Sequence, residues 1–185
     1  MHVSELSERY TKIAAQFTER VTAVPEGAWE NPAPCDGWVA RDVVRHLVEW
    51  VPGFFSSYAA LDLPTGPSVD EDPVAAWKAL DDALQATFDD RAVATREFEM
   101  HGATYTIEEG INTFCTNDIV FHTWDLARAT GLDERLDPVE VHELLVSMEP
   151  LDEMLRQSGQ YGPRVEVPDD ADEQTKLIAF VGRRP

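Results

Sequence analysis

The sequence predicts a mostly α-helical protein, an up-and-down four-helix bundle with a short C-terminal extension, on three observations. Apolar residues recur at helical spacing over four stretches of about 20 residues. The breaks between them, at 25–37, 63–73 and 132–138, are short and rich in proline, glycine and acidic residues. The length of 185 residues suffices for one hydrophobic core, so 1–185 is expected to form a single domain.

The first helix follows from the stripe Leu6, Tyr10, Ile13, Phe17, Val21 and Val24, with Ser4 as its cap. A second is predicted over 40–61, burying Val43, Val44, Leu47, Val51, Phe54 and Phe55, with Asp42 in the favourable first turn. Pro52 should bend or shorten it, because proline lacks the N–H that the helical ladder needs. Pro73 suits a first helical position, and Ala76, Trp77, Leu80, Leu84 and Phe88 continue a third helix. The stretch 95–106 alternates and contains Gly102, which predicts an extended excursion. A fourth long helix is predicted over 107–130, with Gly131 as its stop; a fifth runs over 138–157 and a last short one over 172–181.

Composition narrows the function classes. The chain is 43% hydrophobic and 27% charged, which favours folding over disorder. With 15 basic against 35 acidic residues the formal charge is -20, which repels phosphate backbones and anionic lipid surfaces. Nucleic acid and membrane partners are therefore not expected. Residues 1–10 lack the basic-then-apolar order of a signal peptide and no apolar run approaches membrane-spanning length, so a cytoplasmic location is expected. In that reducing compartment Cys35 and Cys115 read as free thiols.

The segment Asp118-Ile-Val-Phe-His122-Thr-Trp-Asp125 carries the chemistry, since positions i, i+4 and i+7 fall within about 60° on one helical face. One helix thus offers a carboxylate and an imidazole side by side, although the same spacing also describes an ordinary surface ion pair. A third ligand must come from a neighbouring helix, and His46 stands among the buried positions of the second. Two imidazoles and a carboxylate leave positions open for water or substrate, as in catalytic zinc and non-haem iron sites. Glu49, one turn beyond His46, reads either as a support for a ligand imidazole or as a solvent-facing residue. Asp125 either orients His122 or pairs with Arg41 across the helix interface, and the pairing is the favoured expectation. Trp38, Trp50 and Trp124 suit a pocket wall or the core. Cys35, before the second helix, reads either as a thiol made reactive by the helix N-terminus or, the favoured expectation, as a buried inert thiol, and Cys115 has no assigned role. His2, His101 and His142 read as solvated.

Two stretches and the ending form a pattern: Pro34-Cys35-Asp36-Gly37-Trp38-Val39-Ala40-Arg41-Asp42-Val43-Val44-Arg45-His46-Leu47, then His122-Thr123-Trp124-Asp125-Leu126-Ala127-Arg128-Ala129-Thr130-Gly131, then Gly182-Arg183-Arg184-Pro185. Together they resemble metal-binding proteins of the DinB-like superfamily, related to the N-terminal domain of mycothiol-dependent maleylpyruvate isomerase. The resemblance implies a four-helix bundle, metal ligands at His46, Asp118 and His122, and a low-molecular-weight thiol such as mycothiol as co-substrate. Where this chain has Asp118, the isomerase-like pattern has glutamate and the founding pattern more often histidine. The isomerase also carries a separate C-terminal domain, whereas a short extension follows the bundle here, so its reaction is not expected to carry over.

The expected function is that of a divalent-metal-binding protein, with zinc first and nickel or iron as alternatives. Its activity would be transfer of a thiol to an electrophilic small molecule. The alternative is a non-catalytic metal protein with a structural or sensing role. A homodimer is a further expectation, since exposed bundle faces often pair, but no residue identifies the face.

Overall fold

The computed structural model describes residues 4–185 and is mostly helical; His2 lies outside the described residues. Helix α1 (Glu5–Ala23) begins where the Ser4 side chain accepts from the Ser7 N–H, and it buries Tyr10, Ile13, Phe17 and Val21. Residues 24–39 then cross one end of the bundle, with backbone bonds such as Ala33 N–H to Trp38 O (2.9 Å) and Ala40 N–H to Asn31 O (2.9 Å). Helix α2 (Ala40–Ala59) starts where Asp42 Oδ2 accepts from the Val39 N–H at 3.0 Å. Pro52 is accommodated inside α2 and does not end it. The helix stops two residues short of the expected end, where Ala60 turns into the left-handed region (φ 46°).

Helix α3 (Pro73–Asp89) has Pro73 in its first turn, as its sequence suggested, and is capped by Asp72, whose side chain accepts from the Ala75 N–H. Trp77, fully buried in it, donates to Thr18 Oγ1 of α1 at 2.7 Å. After the short α4 (Arg91–Ala94), the predicted excursion is a hairpin of β1 (Glu97–Met100) and β2 (Ala103–Thr106), in register Phe98 to Tyr105. Its two-residue turn, His101 (φ 50°) and Gly102 (φ 82°), has positive φ at both positions, which matches the right-handed twist of the flanking strands.

The next helix spans the predicted 107–130 but is not uniform. It begins as α5 (Ile107–Gly110), widens to π geometry over Ile111–Thr116, and continues as α6 (Asn117–Thr130). Thr106 and Glu109 cap it reciprocally. The widened turn is held from outside: Arg9 of α1 donates to Asn112 Oδ1 (2.6 Å) and Asn117 Oδ1 (2.9 Å). Gly131, at φ 72°, stops it.

The packing pairs are α1 with α3, α1 with α6, α2 with α3 and α2 with α6. The order around the bundle is therefore α1–α3–α2–α6, with α1 and α2 on a diagonal joined by the crossing segment. Each large side chain that this packing encloses, such as Phe17, Leu47, Phe55 or Leu84, stabilises by about 1.5–3 kcal/mol relative to exposure.

The expected fifth helix over 138–157 is broken. Helix α7 (Pro138–Met148) gives way to a 3-10 turn at Glu149–Leu151 and then α8 (Asp152–Gln157). Pro150 explains the break, because it has no N–H to donate and its ring collides with the carbonyl four residues back. Helix α9 (Glu173–Phe180), capped by Asp172, packs on α7 and buries Leu177, Ile178 and Phe180. No helix among the described residues is long and apolar enough to cross a membrane.

The hairpin is pinned at Gly110, where an added Cβ would stand 2.8 Å from Phe98 Cζ. Gly110→Ala is therefore expected to destabilise by about 1–3 kcal/mol, the usual range for overpacking a filled core. Urea denaturation checks this, and an unchanged midpoint would mean that the Phe98 ring moves freely.

Candidate metal centre

The α2–α6 seam brings together the residues singled out by spacing. His46 comes from α2, while Asp118 and His122 stand one turn apart on α6, just after the π-widened turn. His46 Nε2 lies 3.0 Å from Asp118 Oδ2, and His122 Nε2 lies 3.4 Å from Asp118 Oδ1. One ligand atom from each of the three residues lies within 4.8 Å of the others. His122 is buried, whereas the side chains of His46 and Asp118 remain 31% and 24% exposed, so the cluster is reachable from one side.

Two of the three tryptophans border this cluster. Trp50 donates from Nε1 to Asp118 Oδ2 at 3.0 Å. Trp38 lies 5.8 Å from His122, nearly parallel to it, and 5.1 Å from His46. Trp124 instead sits in the core, with Arg128 over its ring at 4.6 Å.

Asp125 is fully buried, and the expected pairing with Arg41 is not found. Its Oδ2 lies 2.9 Å from His122 Nδ1 and 3.0 Å from Arg183 Nη2. Arg41 turns the other way, to Glu30 (2.9 Å) and the Val69 carbonyl (3.0 Å), because it belongs to the exposed rim where α2 meets the 63–73 connection. Glu49 is solvent-facing, 4.0 Å from Arg45 and away from His46 in its contacts. His142 is exposed and pairs with Glu173, and His101 is exposed in the hairpin turn. Both cysteines are free, and Cys115 is fully buried in the widened turn.

The charges are strongly coupled. Burial pushes the Asp118 carboxyl up, but the imidazoles of His122 and His46 outweigh it and hold the group well below the usual carboxylate range. Burial lowers the pKa of His122, yet the carboxylates of Asp118 and Asp125 on its two sides pull it up to about 9. Asp125 is likewise held below its ordinary value by His122 and Arg183 against the effect of burial. Cys35, whose thiol donates to Asp125 Oδ2 at 3.4 Å, is pushed up to about 12 by burial and by that carboxylate.

Two imidazole nitrogens and one carboxylate, open on one side, suit a divalent ion in number, charge and donor type. Cys35, His122 and Asp125 form a second group of convergent donor atoms. That group suits an ion poorly, because Arg183 already grips Asp125 and the thiol resists ionisation. Sequence reasoning missed two partners, Trp50 for Asp118 and Arg183 for Asp125. The ending that contains Arg183 carried a signal only as part of a family pattern.

The family model for the mycothiol maleylpyruvate isomerase N-terminal domain, which lies in the DinB-like superfamily, matches residues 10–71. The match agrees with the resemblance carried by the motifs and includes His46, while Asp118 and His122 fall outside it. Comparisons with curated proteins and with solved structures give no match.

The surroundings of Cys35 make a reactivity prediction. Thiolate forms only as pH rises toward about 12, so at pH 8 alkylation of Cys35 in the native protein should run at least about 50-fold slower than that of a free cysteine. Site-resolved mass spectrometry of a time course measures this. A rate equal to the free amino acid would mean that Arg183 outweighs burial and Asp125 at that sulfur.

Proposed function

We propose that this protein binds one divalent metal ion through His46, Asp118 and His122 and uses it to transfer a low-molecular-weight thiol to an electrophilic small molecule. The observation that carries the reading is the convergence of these donors from two helices around a point left open on one side. The matching family's name points to mycothiol as the thiol. Zinc is the first choice of metal, with nickel or iron as alternatives, and a reducing cytoplasm is the compartment that such a thiol requires.

A divalent ion with open positions supplies Lewis acidity, lowering the pKa of a coordinated thiol so that thiolate is available near neutral pH. The chain's own groups prepare the place. Asp125 accepts from His122 Nδ1, which leaves Nε2 as the nitrogen facing Asp118. Trp50 holds Asp118 Oδ2, fixing the carboxylate's orientation. Trp38 lies against both imidazoles and limits water on that side. Asp118 also contributes a negative charge to a site that otherwise offers neutral donors.

The rival reading is a metal protein without catalysis, in which an ion only staples helices or reports on availability. A structural site is normally closed by a fourth protein ligand. The group formed by His46, Asp118 and His122 has no fourth member among the described residues, which favours the open, reactive kind.

His46→Ala and His122→Ala should each abolish stoichiometric metal in protein purified without an affinity tag, while circular dichroism stays helical because the apolar stripes carry the fold. Cobalt-loaded wild type should gain a sulfur charge-transfer band on adding mycothiol. Retention of full metal by either variant would reject the ligand set, and a silent cobalt spectrum together with background activity would leave the non-catalytic reading.

A pH dependence follows from His122. Below about 9 the metal-free imidazole keeps its Nε2 proton, which a metal must displace. Apparent affinity should therefore climb as pH rises from 7 to 9, by up to about ten-fold per unit, and then flatten. Competition titrations against a chelator of known pH behaviour would detect this, and a flat profile would argue against His122 as a ligand.

A further inference from the structure

The geometry points to Arg183 as a positioning residue for the metal centre, holding Asp125 so that His122 presents Nε2 toward Asp118. The inference rests on reading His122 as a ligand, and it brings the segment after α9, which supplies none of the three donors, into the site.

Asp125 is fully buried on α6, so its carboxylate must find every partner within the protein. Arg183 contacts both oxygens: Nε lies 3.3 Å from Oδ1 and Nη2 lies 3.0 Å from Oδ2. A planar guanidinium across both oxygens sets the plane of the carboxylate, which a point charge would not do. Oδ2 is thereby aimed at His122 Nδ1, 2.9 Å away. An ionised carboxylate can only accept, so Nδ1 carries the hydrogen and Nε2 is the nitrogen turned to Asp118. Cys35 completes the shell, with its Sγ 3.4 Å from both Asp125 Oδ2 and Arg183 Nη2.

Arg183 is itself held in place. Its N–H donates to the Ile178 carbonyl at 3.0 Å, and its Nη1 donates to the Val181 carbonyl at 3.1 Å. The chain turns at Gly182, whose φ of +89° lies in the region that glycine favours; a Cβ there would stand 3.0 Å from Gly162 Cα. Buried Leu177, Ile178 and Phe180 anchor the preceding helix. The turn after α9 is therefore built to deliver one guanidinium to Asp125, while the neighbouring Arg184 is exposed.

A merely structural arginine would neutralise Asp125 without affecting His122, and three variants separate the two roles. Arg183→Met should lower zinc affinity by about 10–100-fold, the usual effect of losing such a support, with His46, Asp118 and His122 all intact. Arg183→Lys should fall between wild type and Arg183→Met, since an ammonium supplies charge but no fork. Arg183→Ala should regain part of the lost affinity when guanidinium ion is added at concentrations below those that denature. In metal-free protein, nitrogen NMR of the His122 ring should show the Nδ1 proton broadened or lost in Arg183→Ala and restored by the same rescue. Arg184→Met serves as the control and should bind zinc like wild type. If wild type binds zinc and a folded Arg183→Met or Arg183→Lys binds it equally well, the proposal fails while the ligand set stands. Equal losses in Arg183→Met and Arg184→Met, or no rescue by guanidinium, also overturn it. If wild type takes up no zinc, the ligand reading falls and this inference falls with it.

Discussion

A carboxylate sealed inside an apolar bundle organises the centre of this protein. Asp125 has no access to water, and an ionised group in that position costs several kcal/mol unless it is paired and hydrogen-bonded. Three segments far apart in sequence meet that demand: His122 from the same helix, Arg183 from beyond α9, and Cys35 from the crossing segment. Each arrives only if its own element is packed correctly. The diagonal α1–α2 connection brings Cys35, and the docking of α9 on α7 brings Arg183. The polar cluster and the fold thus specify each other.

The second constraint is the seam between α2 and α6. His46 reaches Asp118 because these helices touch, and the α6 side of that contact follows a turn widened to π geometry. A widened turn rotates every later residue relative to the preceding helical face, and such turns are frequent at functional sites. Here Arg9 sustains it by bonding Asn112 and Asn117 across the helix interface, which ties the position of Asp118 to the packing of α1.

Much of this was legible in the sequence, because helical periodicity is a local property. The stripe of α1, its cap at Ser4, the first-turn proline of α3 and the stop at Gly131 are each decided within a few residues. The juxtaposition of Asp118 and His122 was legible for the same reason, and His46 followed from its place among buried neighbours. What escaped was non-local. Arg41 looked like the partner of Asp125 because both lie near helix contacts, but an arginine 58 positions away takes the role, and helical spacing cannot register it. The widened turn is bridged by Arg9, more than 100 positions from Asn112 in sequence. The break at Pro150 was local, yet apolar periodicity continuing beyond the proline masked it; a missing N–H outweighs a continuing stripe when the helix has little tertiary packing to hold it together.

The aspartate at 118, where the resembling patterns carry glutamate or histidine, finds its explanation in distances. A shorter side chain reaches a shared point only if the two helices approach closely and the carboxylate is held in one orientation. Both conditions are met: His46 Nε2 stands 3.0 Å from Oδ2, and Trp50 donates to that same oxygen from one turn further along α2. Oδ1 is left toward His122. Trp50 therefore substitutes in part for the reach that aspartate lacks, by fixing which oxygen faces which imidazole. Because the indole and the His46 imidazole share Oδ2 while Oδ1 is left to His122, Asp118 and Trp50 form a matched pair within this seam.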